Sequence, residues 1–113
     1  MITIYHNPRC SKSRECNLFL ETSRKDVQVI NYMNTPFTYD TLKNVISLLK
    51  INPIELVRKK EQIWKDNYKG KELSDDEIIS AMVENPKLIQ RPIVVNGNKA
   101  VIARPLEIMN KIL

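Results

Sequence analysis

Cys10 is the residue of this sequence whose type and surroundings point most directly to chemistry. It follows a short apolar segment, and the cations Arg9, Lys12 and Arg14 lie around it in a polar stretch. If a helix begins just after Cys10, unpaired backbone N–H groups and the positive end of the helix dipole lie near its sulfur. Both features favour the thiolate over the thiol and lower the pKa from about 8.5. We therefore predict a reactive thiolate at Cys10.

The second cysteine, Cys16, is six residues further along the same predicted helix. This spacing is about 9 Å of axial rise, which exceeds the Cα separation that a disulfide tolerates. Ser13 stands where a C-x-x-C motif would have its second cysteine, so a thioredoxin-style dithiol is not expected. We predict that Cys16 faces the core.

His6 precedes Cys10 by four residues and is the only histidine. Two roles are open to it: a cation or hydrogen-bond partner of the thiolate, or a strand-end residue that anchors the loop. One histidine and two cysteines are too few for a four-ligand Cys/His zinc site, and two glycines are too few for a dinucleotide-binding loop. A phosphatase-type loop needs an arginine six residues after its cysteine. That position is Cys16 in this sequence, so a phosphatase loop is also excluded.

Three arginines from distant segments, Arg58, Arg91 and Arg104, are the candidate anion-binding residues. A guanidinium group is a planar fork that binds tetrahedral oxyanions with two hydrogen bonds, which a lysine does not do. The three could converge only if the fold brings the last third of the chain beside the first loop. Spacing alone favours solvent-exposed positions for them.

The element order that must position these residues begins with a strand at residues 2–5. A helix follows from just after Cys10 to about residue 23, and a second strand covers residues 27–32. A strand, a helix and a strand within about 30 residues are typical of a right-handed parallel βαβ unit.

The middle of the chain, about residues 38–88, is predicted to be a helical insertion. Thr38 is a candidate N-cap, Asn52-Pro53 is predicted to restart a helix, and Ser74 opens a capping box. The order then becomes ββα: a hairpin turning at Asn96-Gly97, and a final helix that opens at Arg104-Pro105. We predict a single α/β domain over residues 1–113, with one mixed four-stranded sheet flanked by helices.

Composition sets the remaining limits. The chain has 113 residues, 42% hydrophobic and 27% charged, with a net charge of +5, which excludes a disordered chain and permits an anionic partner. Neither a signal peptide nor an apolar run long enough to span a bilayer is evident, so we expect a cytoplasmic protein without a membrane partner. No basic cluster alternates with aromatic residues, so nucleic acid is not an expected partner.

Four segments resemble one known family. Residues 5–14 are similar to the active-site segment of the glutaredoxin-linked arsenate reductases, whose pattern is His-x3-Cys-x3-Arg. Residues 56–60, 90–95 and 103–105 resemble the three other arginine segments of that family, in the same order. The resemblance covers essentially the whole chain. It implies a thioredoxin-like fold with a helical insertion, in which Pro92 is the cis-proline beside the catalytic cysteine.

The resemblance also implies the reaction and a role for each site residue. Arsenate would be reduced to arsenite through an adduct on a cysteine thiolate, which glutathione and glutaredoxin resolve, with no metal, flavin or nicotinamide bound to the protein. The implied roles are nucleophile for Cys10, tuning of the thiolate for His6, Ser13 and Arg14, and an oxyanion clamp for Arg58, Arg91 and Arg104.

Two other functions are compatible with the sequence. One is a glutathione-dependent thiol oxidoreductase that acts on another substrate. The other is a regulator of the Spx type, which shares the fold and binds RNA polymerase. Such regulators commonly carry a C-x-x-C near the N-terminus, which Ser13 interrupts here, and they do not need the arginine set.

Overall fold

The computed structural model describes residues 2–23 and 26–113. The chain forms two compact units, one built from Met1–Thr35 together with Arg91–Leu113 and the other from Pro36–Gln90. The strands are β1 (Ile2–His6), β2 (Val27–Asn31), β3 (Ile93–Asn96) and β4 (Lys99–Ile102), and the α-helices are α1 (Ser11–Ser23), α2 (Tyr39–Leu49), α3 (Gln62–Asn67) and α4 (Asp75–Glu84). The bounds of the second unit are close to those of the helical insertion predicted at about 38–88.

The first unit contains a four-stranded sheet in the order β2-β1-β3-β4. Strands β1 and β2 are parallel, with His6 opposite Asn31 at their carboxyl ends. Strand β3 is antiparallel to both β1 and β4. The β3–β4 hairpin turns at Gly97, whose φ of 62° is one that glycine adopts without steric cost. The predicted mixed four-stranded α/β sheet is confirmed.

The core of this unit lies between one face of the sheet and the helical segments that follow β1 and β4. Alternate residues of β1 are buried, as expected for a strand with one covered face. The cluster comprises Ile2, Ile4, Cys16, Leu20, Val94, Ala103, Met109 and Ile112. Helix α1 is therefore fixed against the sheet, and its first residue follows Cys10 directly.

The second unit consists mainly of helices with well-formed N-termini. The Thr38 side chain accepts a hydrogen bond from the backbone of Thr41 and begins α2, whose buried face is Leu42, Val45 and Ile46. Ser74 caps α4 in the same way. Both caps were predicted from the sequence. In the described part of the chain, no helix has the length and apolar character needed to cross a membrane.

The prediction of a helix that restarts at Asn52-Pro53 is wrong in its extent. The segment forms only a single 3-10 turn, Pro53–Leu56. Val57, which follows, is extended and pairs with Ile89. The backbone N–H of Arg58 donates to the carbonyl of Leu88 at 2.7 Å. The backbone N–H of Gln90 donates to the carbonyl of Leu56 at 2.8 Å. These hydrogen bonds between distant segments replace the ones that would have continued the helix.

The final helix also differs from the expected type, because Leu106–Lys111 is a 3-10 helix. Leu106 and Met109 of this helix, and Ile112 directly after it, pack on the core and are three positions apart. A 3-10 helix has three residues per turn, so this spacing places all three side chains on one face. The amide of Asn96 donates to the Ile112 carbonyl at 2.6 Å and fixes the segment to the hairpin.

Candidate active site

Cys10 occupies the N-cap position of α1. Strand β1 ends at His6, and a turn brings the backbone N–H of Cys10 to the Asn7 carbonyl at 3.0 Å. The carbonyl of Cys10 then accepts the N–H of Arg14 at 3.0 Å, the first hydrogen bond of the helix. The side chain is only 7% exposed. The sulfur is thus held at the end of a 13-residue helix where backbone N–H groups are unpaired.

The pKa of Cys10 is lowered to about 7. Burial acts in the opposite direction and raises it. The backbone N–H of Ser13 and the side chains of Arg91 and Arg104 more than offset the burial, because all three stabilise the thiolate through hydrogen bonds, and Arg91 adds its charge. About half of the Cys10 side chains are therefore ionised near neutral pH.

Arg104 connects the end of the hairpin to the sulfur. Its Nε donates to the backbone carbonyl of Arg91 at 2.6 Å, and its Nη2 donates to the Cys10 Sγ at 3.4 Å. The Nε of Arg91 is buried and has no hydrogen-bond partner among the described residues. The Arg91–Pro92 peptide bond is cis, as is Arg104–Pro105. Arg91 and Arg104, two of the three candidate anion-binding arginines, thus lie at the thiolate. The Nε–H of Arg91 is a donor without an acceptor among the described residues.

His6 and Ser13 form a buried polar pair beneath the loop. His6 Nδ1 lies 2.6 Å from Ser13 Oγ, and the same Oγ accepts the backbone N–H of Asn7 at 2.9 Å. Burial lowers the pKa of His6, although Ser13 and Glu21 act against this effect. A neutral imidazole bonded to Ser13 fits the loop-anchoring role better than the cationic one. Ser13 itself acts on the thiolate through its backbone N–H.

Asn7 is a residue of this site that sequence reasoning did not single out. It is 4% exposed, and its side-chain Oδ1 accepts the backbone N–H of Arg9 at 3.0 Å. Asparagine before proline is a turn signal, and asparagine side chains commonly bond the backbone two residues on. That tendency was the available signal for its part in shaping the loop.

The other predicted site residues have different surroundings. Arg14 donates from Nη1 to the Pro8 carbonyl at 2.8 Å, and so stabilises the backbone of the loop. Arg58 belongs to the second unit, where its Nη1 forms an ion pair with Glu61 Oε1 at 2.7 Å. Its part in an oxyanion clamp stays a prediction.

Cys16 is fully buried in the core of the first unit. Its Sγ lies 3.9 Å from the sulfur of Met109, and burial raises its pKa to about 12. Both cysteines are free thiols. Across residues 2–23 and 26–113, no group of three or more His, Cys, Asp or Glu side chains is placed to hold a metal ion.

Comparison with known proteins identifies the family of the chain. The ArsC family matches residues 5–112, which include every residue of the site. The chain belongs to the ArsC family. The resemblance found in the sequence is confirmed, and so is the thioredoxin-like α/β fold that it implied.

Relatives within the ArsC family cover nearly the whole chain. An uncharacterised protein of Escherichia coli K12 is 45% identical over 94% of this chain and 91% of its own length. The arsenate reductase of Haemophilus influenzae is 37% identical over 99% of this chain and 98% of its own. A solved structure of arsenate reductase from Vibrio cholerae has a TM-score of 0.93 and 43% identity, covering 99% and 97% of the two chains.

Proposed function

We propose that this ArsC-family chain is a cytoplasmic arsenate reductase. The observation that carries the proposal is the thiol of Cys10, whose pKa is about 7 and whose sulfur receives a hydrogen bond from Arg104. Relatives named arsenate reductase, matched over almost their full length, give the substrate class. Arsenate is a tetrahedral anion at neutral pH, and a helix N-terminus with guanidinium donors suits such a ligand.

The first step is attack of the Cys10 thiolate on arsenic. A sulfur–arsenic bond forms, and one oxygen of arsenate leaves as water after it takes up protons. The guanidinium groups of Arg91 and Arg104 would neutralise the remaining oxygens and orient arsenic toward the sulfur. Arg58 would complete the clamp, as the resemblance implies.

The second step needs a thiol from outside the protein, because Cys16 is buried with a pKa of about 12. Glutathione supplies it. Its sulfur bonds to Cys10 as arsenic takes up two electrons and leaves as arsenite, so arsenate, one protein thiol and one glutathione give arsenite, a mixed disulfide and water. Glutaredoxin with a second glutathione then returns Cys10 to the thiol. The protein itself would bind no metal, flavin or nicotinamide.

The test is a coupled assay with arsenate, glutathione, glutaredoxin, glutathione reductase and NADPH. Wild-type protein is expected to oxidise NADPH only when arsenate is present, and Cys10→Ser is expected to abolish that activity. Cys16→Ser is the matched control and should keep most of it. Wild-type protein that fails with every component supplied would refute the proposal and favour a thiol oxidoreductase of another substrate.

The oxyanion clamp is tested separately. Arg91→Ala is expected to raise the KM for arsenate about tenfold, the loss of one hydrogen bond between charged groups. Arg58→Gln should raise the same constant. A variant whose KM for arsenate is unchanged removes that arginine from the clamp.

A further inference from the structure

A cavity of about 360 Å³ opens beside the loop that carries Cys10. Strands β1 and β2 are parallel and end side by side, with His6 opposite Asn31, so the loops that follow them meet at one edge of the sheet. Crevices at the carboxyl ends of parallel strands are common ligand sites in α/β proteins. The lining residues are Asn7, Pro8, Arg9, Asn31, Met33 and Asn34.

The lining of this cavity offers hydrogen-bond donors and one positive charge. The Oδ1 atoms of Asn7 and Asn31 accept backbone N–H groups, from Arg9 at 3.0 Å and from Met33 at 3.1 Å. The amide –NH2 group of each asparagine is therefore left as a donor. Arg9 adds a guanidinium, and no acidic residue lines the cavity. Such a set matches a carboxylate, which only accepts hydrogen bonds.

We propose that this cavity binds a carboxylate end of the small peptide thiol that resolves the Cys10 adduct. The assignment of the ligand rests on the proposed function, which requires an external thiol at Cys10. Three lining residues immediately precede Cys10, and the carbonyl of Asn7 is bonded to its backbone N–H. A thiol peptide anchored there by a terminal carboxylate would be held beside the loop that leads directly to Cys10.

The cavity is separate from the groups that activate the nucleophile. The pKa of Cys10 depends on burial, on the N–H of Ser13 and on Arg91 and Arg104, and Arg9 is not among its causes. Replacing Arg9 should therefore weaken the thiol peptide's binding without changing the reactivity of Cys10. This separation allows the anchor to be tested by itself.

The first experiment measures binding of S-methylglutathione, which carries both carboxylates of glutathione but cannot react. In amide NMR spectra of the wild type, we expect the largest shifts at Asn7, Arg9 and residues 31–34. Arg9→Gln should weaken binding about fivefold, the effect of one exposed ionic contact. Lys99→Gln is the matched control. It removes one exposed charge at the other end of the sheet, where Lys99 pairs with Asn96 and Asn96 with Ile2, and it should bind as the wild type does.

The second experiment divides the kinetic effect between the two substrates. In the coupled assay, Arg9→Gln should raise the KM for glutathione about fivefold and leave the KM for arsenate unchanged. A rise in the KM for arsenate instead would overturn the proposal and assign the cavity to the oxyanion. Absence of S-methylglutathione binding, shifts confined to other residues, or equal affinity in the wild type and Arg9→Gln would also overturn it.

The two proposals can fail independently. If S-methylglutathione binds at the cavity and Arg9→Gln weakens it, but the wild type reduces no arsenate, the proposed function is wrong and the thiol site stands. If arsenate is reduced in a glutathione-dependent way but Arg9→Gln changes neither binding nor KM, the site is wrong and the proposed function stands.

Discussion

Replacing Arg104 with glutamine is expected to raise the pKa of the Cys10 thiol. The guanidinium donates to the sulfur at 3.4 Å, but the residue is exposed, so solvent screens the interaction and we take its worth as about 1 kcal/mol. One kcal/mol moves the pKa from about 7 to roughly 7.7. The thiolate fraction at neutral pH then falls from about one-half to about one-sixth.

The assay is the pH dependence of alkylation by iodoacetamide, followed by mass spectrometry between about pH 5 and about pH 10. The midpoint is more informative than the rate at one pH. A more basic thiolate is a better nucleophile, so the rate at neutral pH should fall only about 1.5-fold while the midpoint moves clearly. Cys16 should stay unmodified, since it is buried and its pKa is about 12. Arg104→Lys, which keeps the charge, should show a smaller rise.

Two results would refute this reasoning. A wild-type midpoint near the ordinary thiol pKa of about 8.5 would mean that the helix end and the arginines do no more than cancel the effect of burial. A midpoint near 7 that is unchanged in Arg104→Gln would mean that Arg104 does not stabilise the thiolate.

Three further variants test other parts of the fold. Ser13→Ala removes the partner of His6 and of the Asn7 N–H, and should lower the free energy of unfolding in urea by about 2 kcal/mol; full stability would contradict the buried pair. Cys16→Ala should cost about 1 kcal/mol by the same measurement and leave the Cys10 alkylation midpoint unchanged, whereas a moved midpoint would link the two thiols. Ser74→Ala removes the cap of α4 and should lower the free energy of unfolding by about 1 kcal/mol; an unchanged value would mean that the Ser74 cap does not stabilise the helix.

The elements that the sequence predicted well are those whose determinants are local. Residues within a few positions of one another determine each of these elements. They are strand β1, helix α1, the caps at Thr38 and Ser74, and the hairpin at Gly97. The segment after Pro53 failed for the opposite reason. Its backbone forms hydrogen bonds with residues 88–90. No sequence pattern near Val57 indicates that its hydrogen-bond partners lie about 30 residues further along the chain.

The parts of the site that the sequence predicted are also those with local determinants. The position of Cys10 at the N-terminus of a helix could be predicted from the residues on either side of it. The contact between Arg104 and Cys10 spans 94 positions, and only the resemblance to a family pointed to it. The burial that keeps His6 neutral also depends on packing, so its two possible roles could not be separated before the structure was known.

The groups that surround the Cys10 sulfur come from both ends of the chain, with Ser13 early and Arg91 and Arg104 late. During synthesis on the ribosome, Cys10 emerges long before its two arginines do. Until the last strands have been made and paired, the thiol has only its own helix to stabilise the anion. A nascent or truncated chain that ends before Arg91 would therefore carry a less acidic cysteine, and the reactive thiolate would arise only after Arg91 and Arg104 have been added and packed beside it.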